Sequence, residues 1–351
     1  MKERCSSDPT SQPRRSRPRD GLPAPTVRAQ RPGPETWPRP MSTTRPRHIS
    51  SATTGRCPNP VAPGPHHRRM EPVTLVEEGG GTMRRAAVLA AGTTRWALDG
   101  ALSDGLLIAP VPGVIALPTL SEARLEAARL RSRLTCVSAI AEAGLPVMPR
   151  TRVVHVAVQP RGRTPRRVAT HRFHFAKGCG SSLAPMPVPT ALDHAGRCVG
   201  PRAHLVMLDA ALRRGLVRGA DLDGWIATPR ARRRWLLARA DARAESAQET
   251  LARIDLVEAG LRAVPQVYVD GVGRVDLVVE GRLALEIDGR SSHDDDDAFT
   301  RDRRRDRGVL KRGVLAARFT AAEVEAARPG EIAAAVRRIL AAHRRAGRPI
   351  G

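Results

Sequence analysis

The chain has 351 residues, of which 41% are hydrophobic and 27% charged, and its formal net charge is +24. That is enough for two or three small domains with real cores, and it excludes a collagen-like chain and a disulfide scaffold. No apolar run approaches the roughly 18–20 residues needed to cross a bilayer, and Met1–Asp20 lacks the apolar stretch of a signal peptide. The expectation is a cytoplasmic protein with no membrane contact.

Lys2, Lys177 and Lys311 are the only lysines, so arginine supplies nearly all of the positive charge. Clustered cations attract nucleic acid and release its counterions, which makes DNA the expected partner. A very GC-rich coding sequence also produces this excess of arginine, so charge alone does not decide the function. The cysteines, Cys5, Cys57, Cys136, Cys179 and Cys198, form no Cys-x-x-Cys pair and read as reduced thiols.

Residues 1–69 alternate Pro, Arg, Ser and Thr with almost no spaced apolar residues, so they cannot bury enough surface to offset their ordering entropy. They read as a disordered Arg/Pro-rich arm or as a start placed too early, with Met70 the true beginning. From there the pattern is one of short helices. Pro72–Glu78 is broken by Gly79-Gly80-Gly81, Met83–Ala91 follows, and Thr93 and Thr94 can cap a third helix that runs to Ser103. Leu106–Ala109, the turn Pro112-Gly113 and Val114–Leu117 read as a small hairpin. Three helices and a hairpin over 70–118 predict a winged helix-turn-helix, with the third helix and its Arg95 facing DNA.

Residues 119–240 read as an α+β linker region. It contains a helix over Ser121–Arg133, a segment rich in Ala and Pro, and β-like stretches at Arg152–Gln159 and Arg166–Phe175 separated by the basic turn Pro160-Arg161-Gly162-Arg163. In a strand His171 and His174 point to opposite faces, which argues against a shared metal. A further helix spans His204–Gly215, with Leu205, Leu208, Ala211 and Leu212 on its apolar side.

Residues 241–343 carry the chemistry, and 344–351 form a tail. Ser246-Ala-Gln-Glu249 is a capping box opening a helix whose Leu251, Ile254, Val257 and Leu261 are expected to face the core. Val264–Tyr268 reads as a strand, and Arg274–Val279 and Leu283–Asp288 as a hairpin with the turn Glu280-Gly281-Arg282. Val275, Leu277 and Val279 share a face with Leu283, Leu285 and Ile287, so Asp276, Glu286 and Asp288 share the opposite one. A three-residue turn pairs Val279 with Leu283 and puts Asp276 across from Glu286. Facing carboxylates about 5 Å apart at Cβ repel, and a hard divalent ion such as Mg²⁺ removes that penalty.

Asp294–Asp297 caps a helix expected over 298–311 and complements its dipole. Asp302 and Asp306 approach the packed side of this helix, while Arg301, Arg304, Arg305 and Arg307 spread over the rest. Val314–Phe319 is a further strand, and Thr320-Ala-Ala-Glu323 caps the last helical region.

Arg274-Val-Asp276, Ala284-Leu-Glu286-Ile-Asp288-Gly289, His293, Arg301-Asp302-Arg-Arg-Arg-Asp306, Gly313 and Arg318-Phe319-Thr320 resemble the actinobacterial domain-of-unknown-function family 559. That family is similar to the very-short-patch-repair endonucleases of the PD-(D/E)XK restriction-endonuclease-like fold. Pro72–Pro118 resembles the winged helix of AbiEi-type antitoxins, and Leu208–Gly215 the linker helix that follows it.

The resemblance implies an α/β chain in which a winged helix and a small α+β region precede a restriction-endonuclease-like mixed sheet flanked by helices. It implies a Mg²⁺- or Mn²⁺-dependent DNA endonuclease, with Asp276 and Glu286 as metal ligands and Asp288 where the wider fold usually has lysine. His293 becomes a proton-transfer group, Glu249, Asp302 and Asp306 become supporting acids, and Arg301, Arg304, Arg305 and Arg95 become DNA contacts. The alternative is a non-catalytic DNA-binding regulator or antitoxin of AbiEi type, with a toxin partner.

A chain that begins at Met70 is expected to melt at the same temperature as the full chain, because residues 1–69 lack core-forming periodicity. A drop of several degrees in a thermal melt would make the arm structural.

Overall fold

In the computed structural model of the protein, the described residues are 71–159, 169–176, 182–269, 273–289 and 315–346. They build a mixed α/β structure of three small sheets and their helices.

The first sheet belongs to a unit in which α1 (Pro72–Glu78), β1 (Thr82–Arg84), α2 (Arg85–Ala90) and α3 (Arg95–Ser103) precede β2 (Ile108–Val111) and β3 (Val114–Ala116). Thr94 caps α3 through Oγ1, which accepts from the Ala97 N–H at 3.1 Å. The predicted second helix is shorter than its apolar pattern. Thr82–Arg84 instead pair antiparallel with β3, Met83 opposite Ile115, in the sheet order β1-β3-β2. Gly80 and Gly81 make this possible. Both have φ of +80°, and a Cβ on Gly81 would lie 2.9 Å from Leu120 Cδ2. Val76, Val88, Leu98, Leu107 and Ile115 fill the core between helices and sheet. The buried Arg124 guanidinium donates to the Gly80 carbonyl and to Thr82 Oγ1, tying the unit to the chain that follows.

That following region is larger than a linker. α4 (Glu122–Arg129), capped by Ser121, ends before the predicted Arg133, because Arg131 turns the chain at φ +49° and Arg133–Leu134 become β4. The Ala-rich stretch holds an unpredicted helix, α5 (Cys136–Glu142). β5 (Val154–Val158) pairs antiparallel with β4 and parallel with β6 (His171–Phe175). The basic turn expected between β5 and β6 lies outside the described residues. The two strands run parallel, so they are not the arms of a hairpin. α6 (Val188–Ala195), α7 (Pro201–Arg213), a short 3₁₀ helix at Gly219–Gly224 and α8 (Arg230–Leu237) complete the region. Leu134, Ile140, Val156, Leu192, Leu205 and Leu208 are fully buried in its core.

The last unit has α9 (Ala247–Glu258), β7 (Ala263–Val269), β8 (Gly273–Val279), β9 (Leu283–Asp288), β10 (Leu315–Thr320), α10 (Ala321–Ala326) and α11 (Glu331–Ala346). The sheet order is β10-β9-β8-β7, with β10 parallel to β9 and the other neighbours antiparallel. Leu277, Val279, Leu283 and Leu285 project onto Ala252 and Leu256 of α9 and onto Val324, Ile332 and Val336. Periodicity predicts one buried stripe on α9, yet Ala252 through Leu256 are all buried, and Leu256 is more deeply placed than Val257. The reason is that Ile254 belongs to the core of the preceding region while Ala252 and Leu256 belong to the last one.

One buried side chain stands out for its surroundings. His204 on α7 is wholly buried and stacks on Trp225 with ring centroids 5.6 Å apart. Apart from a contact with the Leu192 backbone, its ring nitrogens have no hydrogen-bond partner among the described residues. Burial, with Arg232 adding repulsion, pushes its pKa down from 6.5 to about 4. The unfolded chain therefore takes up the proton first, and stability present above pH 6.5 is lost as the pH falls towards 4. The loss attributable to this group approaches roughly 3 kcal/mol. His204→Leu or His204→Phe is expected to flatten that part of the profile, as read from urea unfolding midpoints at neutral and acidic pH.

Candidate functional site

The acidic face is built around a gap in the sheet. The hairpin register is the expected one, with Val279 opposite Leu283 and Leu277 opposite Leu285, and it stops there. Instead of continuing to a pair between Asp276 and Glu286, the strands part. Asp276 Oδ2 accepts the Ile287 N–H at 2.9 Å in place of a backbone carbonyl. On the other side of β8 the ladder steps from Pro265–Leu277 to Val267–Val275, leaving Gln266 and Asp276 unpaired in the backbone. Gln266 has φ +52°, a conformation that side-chain-bearing residues rarely adopt.

This backbone kink lets the Gln266 side chain reach the acids. Its Nε2 donates to Glu249 Oε2 at 2.9 Å and lies 3.4 Å from Asp276 Oδ1, while its Oε1 is buried with no partner among the described residues. Glu249 stands in the first turn of α9, where its N–H donates to Ser246 Oγ at 3.0 Å. The carboxylate that should complete the capping box accepts from the Glu245 N–H instead, at 2.8 Å. Glu249 is 5% exposed, and its carboxyl is held above the usual range chiefly by burial, with the Asp276 charge adding to the effect.

Glu286 lies half-buried on β9, with Arg318 as its register partner on β10. Asp288 is exposed at the end of β9. The direct Asp276–Glu286 pair expected from the register is thus replaced by the end of the ladder and the hydrogen bond from Ile287 to Asp276. His293, Asp302, Asp306, Arg301, Arg304 and Arg305 lie outside the described residues. Arg95 is exposed on α3 beside Trp96, an aromatic that is 86% exposed and that apolar periodicity alone would place in the core.

A second cluster has different chemistry. Cys136 opens α5, His155 lies on β5, His174 on β6, and Cys198 in the turn after α6. One donor atom from each lies within 4.8 Å of the other three, and together they can hold a metal ion. His155 Nδ1 is 3.1 Å from His174 Nε2, which is 3.7 Å from Cys198 Sγ. Neither cysteine is in a disulfide. The Cys198 thiol is held far below its ordinary value, first by the hydrogen bond from the Cys136 thiol and then by those from His155 and His174. The same contact and burial push Cys136 up.

His174 does not share this site with His171, which points away and lies 3.6 Å from Glu126. Its partner comes from the adjacent strand, a pairing that spacing along one strand cannot reveal. Sulfur and imidazole suit a softer metal than Mg²⁺ or Mn²⁺. Among the described residues the acidic face forms no group of three such donors, and offers two carboxylates and an amide oxygen.

No family model matches the chain. Two relatives from Mycobacterium tuberculosis, "Uncharacterized protein MT2308" and "Uncharacterized protein Rv2248", are each 34% identical over 176 residues, which is 47% of this chain and 64% of theirs. The chain therefore spans somewhat less than two thirds of these relatives. A crystal structure of the RV2827C protein from the same organism is 15% identical, with a TM-score of 0.23, over 52% of this chain and 74% of its own.

The gap at Asp276 has a measurable consequence. Asp276→Ala leaves the Ile287 N–H without its acceptor and is expected to destabilise the protein by about 1–3 kcal/mol. Asp276→Asn keeps an amide oxygen for that N–H and should lose less. Denaturant melts without divalent ions test the order of the three proteins.

Proposed function

We propose that the chain is a metal-dependent DNA endonuclease, with Asp276 and Glu286 holding Mg²⁺ or Mn²⁺ at the parted strands of β8 and β9. The observation that carries this reading is the double break in the ladder at Asp276, together with the buried, unpartnered oxygen of Gln266 beside it. A sheet gives up backbone hydrogen bonds at a cost, and an orphaned buried acceptor costs more. Carboxylate and amide oxygens are donors that a hard divalent ion takes, so the residues fit the ion. When bound, such an ion lowers the pKa of water and offsets charge on a phosphate.

The protein's own part is positioning. Ile287 N–H and Gln266 Nε2 fix the Asp276 carboxylate from two sides. Glu249 anchors Gln266 and, with its raised pKa, is suited to retain a proton near the reacting phosphate. His293 is proposed to move a proton, and Asp288 takes the place of the lysine of the wider fold. The basic side chains Arg301, Arg304 and Arg305 are proposed to hold the DNA backbone.

A second reading has its own observation. The helices α1–α3 and the sheet β1-β3-β2 follow the order of a winged helix, and α3 leaves Arg95, Trp96 and Asp99 exposed. A DNA-binding regulator or antitoxin of AbiEi type would use that face and keep the last unit as a scaffold.

Cleavage assays with Mg²⁺ or Mn²⁺ on single-stranded, duplex and mismatched DNA decide between the two. The endonuclease reading expects cleavage that Asp276→Asn and Glu286→Gln abolish while DNA binding persists, whereas the regulator binds and never cuts. In either case binding driven by arginine should weaken with salt, log affinity falling by about 0.9 per phosphate for each unit of log salt. A flat salt dependence with strong sequence preference would assign recognition to base contacts from α3.

A further inference from the structure

We propose that Cys136, His155, His174 and Cys198 form a closed, tetrahedral structural site for one Zn²⁺, separate from the acidic face. Two sulfurs and two imidazole nitrogens are a donor set that zinc takes in structural sites, with bonds of about 2.3 Å to sulfur and about 2.0–2.1 Å to nitrogen. A tetrahedron with such bonds has edges of about 3.3 Å between nitrogens and about 3.6 Å between nitrogen and sulfur. The observed separations of 3.1 Å between the imidazoles and 3.7 Å from His174 to Cys198 are close to those edges. All four donors lie within 4.8 Å of one another, so a small contraction around one ion completes the tetrahedron.

Without an ion this arrangement is hard to explain. His155 and His174 are 7% and 9% exposed, Cys136 is fully buried, and four polar atoms converge where each neighbour is a competitor for the same few protons. The backbone is bent to produce the cluster. Cys136 takes φ +52° at the start of α5, a strained conformation for a residue with a Cβ, and the preceding Thr135 N–H is fixed to the His155 carbonyl at 2.9 Å.

A supporting layer surrounds the donors. His194 stacks on His174 with centroids 5.3 Å apart, and its Nδ1 is 2.7 Å from Thr135 Oγ1, so α6 is tied to the α5 start through the ligands' neighbours. Four protein ligands leave no open position for substrate, which makes the site structural. His174 and Cys198 also line a cavity of about 920 Å³, through which an ion can enter. Bound there, zinc would join α5, β5, β6 and the turn after α6, elements that otherwise meet across a small three-stranded sheet.

The test uses the untagged full chain. Wild-type protein is expected to carry one equivalent of zinc by plasma mass spectrometry, released by a mercurial reagent. After exchange with Co²⁺ it should show a thiolate-to-metal charge-transfer band and the visible bands of a tetrahedral centre. Cys136→Ser and Cys198→Ser should lose the metal, His174→Cys should keep it, and Asp276→Asn should keep it too, which separates this site from the acidic face. Removing zinc from the wild type should lower its melting temperature, since metal-binding energy is folding energy.

Wild-type protein that binds neither ion under reducing conditions, or gives a Co²⁺ spectrum without thiolate ligation, overturns the proposal. So does a Cys136–Cys198 disulfide isolated from freshly purified chains. The wild-type measurements hold whether or not the cysteine variants fold.

Discussion

The buried pair of Asp209 on α7 and Arg253 on α9 is the constraint on which the last two units depend. The two groups are 2.8 Å apart and almost wholly removed from water. Burial pushes the Asp209 carboxyl up to about 6, against the pull of Arg253, the Asp241 N–H and Thr250 Oγ1. Each charge is tolerable only because the other is present, and removing one partner of such a pair costs about 3–5 kcal/mol. Asp255, two residues on, extends the same logic. Its carboxylate takes Arg202 from α7 on one side and the Gly330 and Ala333 N–H groups at the start of α11 on the other. α9 therefore cannot shift without breaking both sets of bonds, and the Glu249 that it carries at its first turn is held against Gln266 by the region upstream of the sheet.

The same economy of position explains the acidic face. A β-sheet normally spends every backbone N–H and C=O on its neighbours. At Asp276 the side chain replaces one ladder bond on the β9 side, and Gln266 turns out of the ladder on the β7 side. The result is a break in the ladder on both sides of one strand residue. Val275 and Leu277 flank Asp276 and are fully buried in two different clusters, Leu277 among the leucines and Val275 with Val269, Val278 and Ala284. Packing on both sides thus holds the break independently of the acids.

What could be read from the sequence followed periodicity. Alternation placed β9 to the residue and β8 to within one residue at its start, and fixed their register from Leu277–Leu285 to Val279–Leu283. Val275, expected on the face of Leu277 and Val279, packs instead in a separate cluster beyond the break at Asp276. The capping threonines at 94 and 320 marked real helix starts. Features that depend on contacts between distant segments were not legible. α5 was hidden because its Ala-rich stretch lacks a polar face to set against the apolar one, and its helix is buried by the sheet and α6. Gln266 gives no signal at all, since nothing local predicts that a strand residue will adopt positive φ. The Cys and His ligands fall on four separate elements, so no spacing rule for metal sites applies to them. The Cβ directions along β6 correctly separated His171 from His174, yet only the parallel register of β5 and β6 brings His155 to the latter.

The two clusters place opposite demands on solvent and on metal. Thiolate and imidazole in a buried pocket favour a borderline-soft ion that loses its water completely. Carboxylate and amide oxygens at a parted sheet favour a hard ion that dehydrates reluctantly and keeps several waters, which is the state a hydrolytic reaction requires. The first arrangement is closed by four side chains and can contribute only to folding. A hard ion held as proposed at the second would find few protein ligands and would keep the rest of its coordination sphere for solvent and phosphate. The two proposed sites thus divide by donor chemistry, with sulfur and imidazole in the α5–β6 region and oxygen in the last sheet.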